Sequence, residues 1–126
     1  MAVHDRERLL LTKYAGREYT RYALIAGFAE IGESLEQTVH REVKEEVGLK
    51  VKNLQFYKSQ PWPFTDTLLA GFFAELDGSD SVTIDERELA MGVWMDREDI
   101  PPEELKISLT GEMIEAFRTG SVAIKR

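Results

Sequence analysis

Glu42, Glu45 and Glu46 lie in a stretch, Ser34 to Gly48, whose letters read as a helix. A helix advances about 100° per residue, so with Glu42 at zero Glu46 falls near about 40° and Glu45 near about −60°. Leu35, Val39, Val43 and Val47 occupy an arc from about 20° to about 140° on the same wheel. Glu42 and Glu46 therefore border or overlap the face that has to be buried, whereas surface acids normally sit opposite it. Like charges three and four residues apart each cost a helix roughly 0.2–0.5 kcal/mol, and acids in its C-terminal half oppose the macrodipole. Arg41, four residues before Glu45, offsets part of this. An acidic helix face is most often solvated surface. Acids crowded at the edge of a core are instead the oxygen donors that a hard cation, Mg²⁺ or Mn²⁺, prefers.

The elements that must hold these acids can be read around them. Ser34-Leu35-Glu36-Gln37 has the spacing of a capping box, and Gly48 is the expected C-terminal stop. Ala2–Val3 and Leu9–Thr12 read as strands about a polar turn, His4 to Arg8, and Tyr22–Ile25 as a third short strand. Val51–Lys58 and Leu68–Leu76 read as strands flanking an aromatic loop, Ser59 to Phe64, and Asp77 to Asp80 as a turn. Gly92–Met95 reads as another strand, with Trp94 toward the core. Pro101 and Pro102 break the chain before a last helix, about Thr110 to Arg118. Strands mixed with two helices, not strictly alternating, predict an α+β fold with helices packed around a mixed sheet.

Composition narrows the function classes. A chain of 126 residues, 43% hydrophobic and 31% charged, suits one domain with one core, residues 1–126, and argues against extended disorder. A net charge of −7 argues against general affinity for a nucleic-acid backbone. The absence of cysteine excludes disulfides and thiol chemistry within these residues and fits a reducing cytoplasm. The apolar runs are too short to cross a bilayer, so no membrane partner is expected.

The letters around the acids form a longer pattern. From Gly27 the chain reads GFAEIGESLEQTVHREVKEEVGL, with Glu33, then Arg41-Glu42-Val43, Glu45-Glu46 and Gly48-Leu49. This is a full match to the Nudix box, GX5EX7REUXEEXGU with U aliphatic, over residues 27–49, and chance would produce it with odds on the order of 10⁻⁸. The chain resembles a Nudix hydrolase. The resemblance implies an α/β/α sandwich around a mixed β-sheet, and Mg²⁺- or Mn²⁺-dependent hydrolysis of a nucleoside diphosphate linked to another moiety. It makes Glu42 and Glu46 metal ligands, Glu45 a further ligand or the base that activates water, and Arg41 the partner that orients a glutamate.

A second motif resembles the NADH pyrophosphatase (NAD⁺ diphosphatase) subfamily. Ser59-Gln60-Pro61-Trp62-Pro63-Phe64 is similar to its SQPWPFPxS signature, with Thr65 in place of the third proline and Thr67 in place of serine. Gln60, Pro61, Trp62, Pro63, Phe64, Thr65, Asp66 and Thr67 then belong to the substrate-binding stretch. Without the resemblance, the same letters read as a proline-stiffened turn with Trp62 plugging the core. Phe28 matches the aromatic on the nicotinamide side, and is otherwise a core phenylalanine. Ala26 matches a backbone metal ligand, Glu88 a distant acid that completes the metal site, and Thr110 a segment that touches substrate. Members usually carry an N-terminal domain and a four-cysteine zinc ribbon, so a catalytic domain without that ribbon is expected here.

The resemblance implies a homodimer that splits NADH or NAD⁺ into nicotinamide mononucleotide and AMP, and extends to a terminal NAD cap on RNA. Two other readings keep the box. One is a hydrolase of ADP-ribose, a dinucleoside polyphosphate or an oxidised nucleoside triphosphate. The other is a nucleotide-sensing domain without catalysis, although Glu33, Glu42, Glu45 and Glu46 are all present.

Overall fold

The computed structural model describes residues 1–15, 22–62, 67–102 and 108–124. Strands β1 (Ala2–Asp5) and β2 (Arg8–Tyr14) precede helix α1 (Leu35–Val47). Strands β3 (Val51–Trp62), β4 (Thr67–Leu76) and β5 (Leu89–Asp96) follow, then a 3₁₀ turn (Arg97–Asp99) and helix α2 (Leu109–Thr119). The described strands form one five-stranded sheet in the order β3-β4-β1-β2-β5. β1 runs parallel to β4, and the other neighbours are antiparallel. The sheet is mixed, as expected for the α/β/α sandwich.

Both faces of the sheet are covered, which explains the unbroken apolar run in β2. Val3, Leu10, Phe72, Ala74 and Leu89 face α1 and meet Val39, Val43 and Val47. Ala2, Leu9, Leu11 and Phe73 face the other way and meet Met113, Ile114 and Phe117 of α2. Alternate residues of one strand thus feed two separate cores. The α1 core is the one that orients the acids.

Three details differ from the sequence reading. His4 and Asp5 belong to β1 and Arg8 to β2, so the turn narrows to Arg6 and Glu7, with Arg6 at a positive φ of 57°. Tyr22–Ile25 is no strand: Ala23 alone bridges Thr12, with N–H···O distances of 2.9 and 2.7 Å. Along β2, the four-residue β1 reaches only Arg8 and Leu9, and Ala23 satisfies Thr12 beyond it. The residues Ser59 to Trp62, expected in a loop, extend β3, where Gln60, Pro61 and Trp62 lie opposite Leu69, Leu68 and Thr67. β3 is an edge strand, where a proline can sit without breaking a ladder hydrogen bond. Trp94 packs against the α1-side core, as expected, and its indole N–H donates to the Asp80 carbonyl at 2.9 Å.

Candidate active site

Helix α1 begins with a closed capping box: Ser34 Oγ accepts from the Gln37 N–H at 3.1 Å, and Gln37 Oε1 accepts from the Ser34 N–H at 2.8 Å. It ends on Gly48 at φ 70°, whose N–H reaches the Lys44 carbonyl. With both ends set and Val39, Val43 and Val47 buried, the rotation of the helix is fixed. The acids then fall where the wheel puts them. Glu46 is 6% exposed and counts among the buried residues. The Glu42 side chain is 13% exposed, and that of Glu45, turned outward, is 58% exposed. Leu35, assigned to the apolar stripe, is instead half exposed, because it sits at the mouth of a cleft rather than under the sheet.

Arg41 organises the acids. Its guanidinium grips Glu33 with two prongs, Nε to Oε2 at 2.7 Å and Nη2 to Oε1 at 3.0 Å. Nη1 donates to Glu42 at 2.7 Å and Glu45 at 3.2 Å, and Nη2 also donates to the Phe28 carbonyl at 2.9 Å. Only a planar fork with several donors spans such a set. The Arg41 bond and the Thr38 hydroxyl hold the Glu33 carboxyl down at about 2. Glu42 in turn lies across the backbone of Gly27. A Cβ built there would collide with the Glu42 carboxyl group, so the box glycine is space reserved for a carboxylate.

Glu46 faces the opposite situation. Burial pushes its carboxyl up to about 7, and the charges of Glu42, Glu88 and Asp85 push the same way, against the pull of the Met1 amino group. Its Oε2 is buried with no hydrogen-bond partner among the described residues. Glu88 reaches this neighbourhood from a turn just before β5. Its N–H donates to the Asp85 carbonyl at 2.9 Å, and its own carbonyl accepts from the Ala15 N–H at 3.1 Å.

Beside the acids lies a cleft of about 450 Å³, whose lining includes Ala26, Gly27, Phe28, Thr67, Leu68 and Thr110. Phe28 is 79% exposed, so it is no core residue, and it lines the cleft. Gln60, Pro61 and Trp62 stand next to this cleft without lining it: Trp62 ends β3 across from Thr67, which does. Pro63, Phe64, Thr65 and Asp66 lie outside the described residues. A roomier hollow of about 590 Å³ at Glu7, Arg97 and Arg118 is lined by none of the sequence-predicted site residues. Leu68, Met113 and Asp85 join the site region without having been read from sequence. Their letters are ordinary for a strand, a helix and a turn, and only the packing brings them here.

Among the described residues no three acidic or histidine side chains converge into a metal-binding cluster. Arg41 holds Glu42 and Glu45, whereas Glu46 points into the buried side of the same helix. The donor chemistry nevertheless fits a hard divalent cation: the charges of Glu42, Glu88 and Asp85 act on Glu46, and the buried Oε2 of Glu46 has no proton donor among the described residues.

A mixed sheet between two helices, with Glu42, Glu45 and Glu46 on the turns of α1 and Glu33 just before it, defines the class. A NUDIX domain model matches residues 1–117, and the chain belongs to the Nudix family. It is 43% identical over 101 residues to the NAD-capped RNA hydrolase NudC of Salmonella schwarzengrund (strain CVM19633). That match covers 80% of this chain and 39% of the relative, so the chain spans about two fifths of that protein's length. Among solved structures, a NUDIX hydrolase from Nitrosomonas europaea superposes with a TM-score of 0.75 at 22% identity, covering 94% of this chain and 69% of that one. The NUDIX domain of Shewanella oneidensis NrtR, solved with ADP ribose, superposes with a TM-score of 0.70 at 17% identity, covering 96% and 84%. At those identities the likeness concerns the fold alone.

Proposed function

We propose that this chain is a pyrophosphohydrolase acting on NADH, NAD⁺ or an NAD-capped RNA end, yielding nicotinamide mononucleotide and an AMP moiety. The observation that carries the reading is the pairing of a crowded, partly unsatisfied carboxylate centre on α1 with a cleft bordered by the exposed Phe28 ring. The similarity to NudC supports the substrate class.

In this reading Glu42 and Glu46 hold Mg²⁺ or Mn²⁺, with Glu88 and the Ala26 carbonyl nearby. The ion, when bound, neutralises the pyrophosphate and lowers the pKa of a bound water. Arg41 keeps Glu42 and Glu45 in register through Glu33, and its bond to the Phe28 carbonyl ties the ring-binding residue to the same hub. Glu45 is assigned here as a further ligand or the base that takes a proton from the attacking water; its side chain is the most exposed of Glu42, Glu45 and Glu46. In this reading Phe28 stacks on a flat ring, and Thr67 and Thr110 line the same cleft. The homodimer belongs to the same proposal: β3 is an edge strand, and Phe56, Trp62 and Leu68 leave apolar surface exposed on the β3–β4 hairpin. A partner over that hairpin would bring Trp62 into the substrate's surroundings.

The test is incubation with NADH, ADP-ribose, diadenosine tetraphosphate and an oxidised dGTP, each with Mn²⁺, in H₂¹⁸O with products identified by mass spectrometry. Preferential release of nicotinamide mononucleotide and AMP is expected, and the label shows which phosphate takes the water oxygen. Faster turnover of ADP-ribose or oxidised dGTP would replace the substrate assignment while keeping the reaction class. No turnover of any substrate would favour a nucleotide-sensing domain.

A further inference from the structure

We propose that Asp85 is a positioning residue that fixes Glu88 against the acidic end of α1. The inference rests on the reading of Glu88 as an acid of the metal centre.

The last carbonyls of a helix have no partner within it. Here the Glu46 carbonyl accepts from the Asp85 N–H at 2.8 Å, and the Val47 carbonyl accepts from the Thr83 N–H at 3.0 Å. The segment before β5 is thereby strapped to the very turn of α1 that carries Glu46. Asp85 then turns the chain. Its carbonyl accepts from both the Glu88 N–H at 2.9 Å and the Leu89 N–H at 2.8 Å. Its carboxylate accepts from the backbone N–H of Arg87 at 3.1 Å, closing the turn from inside, and from the Arg87 guanidinium at 3.1 and 3.2 Å. One residue thus grips α1 through its N–H, Glu88 through its carbonyl and the intervening turn through its side chain.

The two side-chain roles are unequal. The Arg87 side chain is 90% exposed, whereas that of Asp85 is 19% exposed. A solvated guanidinium adds little, but a short acid accepting an N–H two residues on is what holds such a turn in shape. Loss of the carboxylate frees the Arg87 N–H, and Glu88 is no longer aimed by the segment that carries it. Partners of this outer kind change metal affinity by about 10–100-fold when removed.

The experiment measures Mn²⁺ affinity by electron paramagnetic resonance for the wild type, Glu88→Gln, Asp85→Ala, Asp85→Asn and Arg87→Ala. Circular dichroism melts without metal check each fold. Glu88→Gln should weaken Mn²⁺ binding, and Asp85→Ala should weaken it by about tenfold with its melting transition within a few degrees of wild type. Asp85→Asn keeps an acceptor for the Arg87 N–H without the charge, so it should restore most of the affinity, and Arg87→Ala should match wild type. Wild-type affinity in Asp85→Ala beside a weakened Glu88→Gln overturns the proposal alone. An Asn variant as weak as Glu88→Gln overturns it too, because charge rather than turn geometry would then be the cause. Wild-type affinity in Glu88→Gln overturns the reading of Glu88 on which it rests.

Discussion

Two helices of this protein each bury a glutamate, and the two residues are treated in opposite ways. Glu115 on α2 is 8% exposed, and both of its carboxylate oxygens accept from the Arg118 guanidinium one turn later. Glu46 on α1 is 6% exposed, has a buried oxygen with no donor among the described residues, and is pressed by the charges of Glu42, Glu88 and Asp85. The first arrangement is stable as it stands. The second raises the energy of the ionised site, and a bound cation would relieve it. A buried charge kept next to like charges marks a place built for a ligand rather than for the fold.

Substitution breaks this comparison most sharply. Glu46→Gln is expected to reduce metal-dependent hydrolysis by more than the ~100-fold that losing an outer-shell partner costs, while Glu115→Gln leaves kcat near wild type and lowers the melting temperature. Steady-state assays and thermal melts on both variants read the two effects, and equal losses of activity would sink the distinction. Gly27→Ala comes next: its methyl group must displace the Glu42 carboxyl, and a drop of about 10–100-fold in Mn²⁺ affinity is expected with the fold retained. Isothermal titration calorimetry checks it.

Proton linkage sharpens the same contrast. The Glu46 carboxyl titrates at about 7 in the fold, against an ordinary value of 4.5. Between those values the folded protein holds a proton that the unfolded chain has lost, so this group makes stability fall as pH rises through the window. The full cost is about 3 kcal/mol at most. The Met1 amino group, held down at about 5 by burial, works with the opposite sign. The stability difference between Glu46→Gln and wild type is therefore the clean measure. Without metal it should grow in favour of the variant from pH 4.5 to pH 7 in urea titrations, and a flat difference would contradict the crowded site.

Glu33, just ahead of the N-cap of the same helix, provides the opposite case. Its carboxyl is held at about 2 by Arg41, so its contribution is complete above pH 4.5 and lost as pH falls through about 2. Glu33→Gln should therefore narrow the gap to wild type only in strong acid. The smallest effect expected is Ser34→Ala, which opens the capping box and costs about 1 kcal/mol. Any larger loss of Mn²⁺ affinity in that variant would mean that the helix start also helps orient Glu42.

Short-range letters carried much of this in advance. The capping box, the stop at Gly48 and the valine stripe are local, and they were enough to place Glu42 and Glu46 at the edge of a core. The Nudix box and the SQPWPF motif are likewise patterns within a few dozen residues. They could not say that Ser59 to Trp62 would continue β3, because that depends on pairing with β4 and on β3 lying at the sheet edge. Nor could they say that Phe28 would stand open while Leu35 moved to the cleft mouth.

The amino-acid sequence by itself determined the helix, its acidic face and the chemistry that such a face suits, since helical periodicity and capping act over single turns. The tertiary structure decided which acids are buried, that Arg41 gathers Glu33, Glu42 and Glu45, and that a turn 39 to 42 residues further on brings Asp85 and Glu88 to Glu46. Those contacts join distant parts of the chain. They exist only once the sheet has paired and both of its faces are covered.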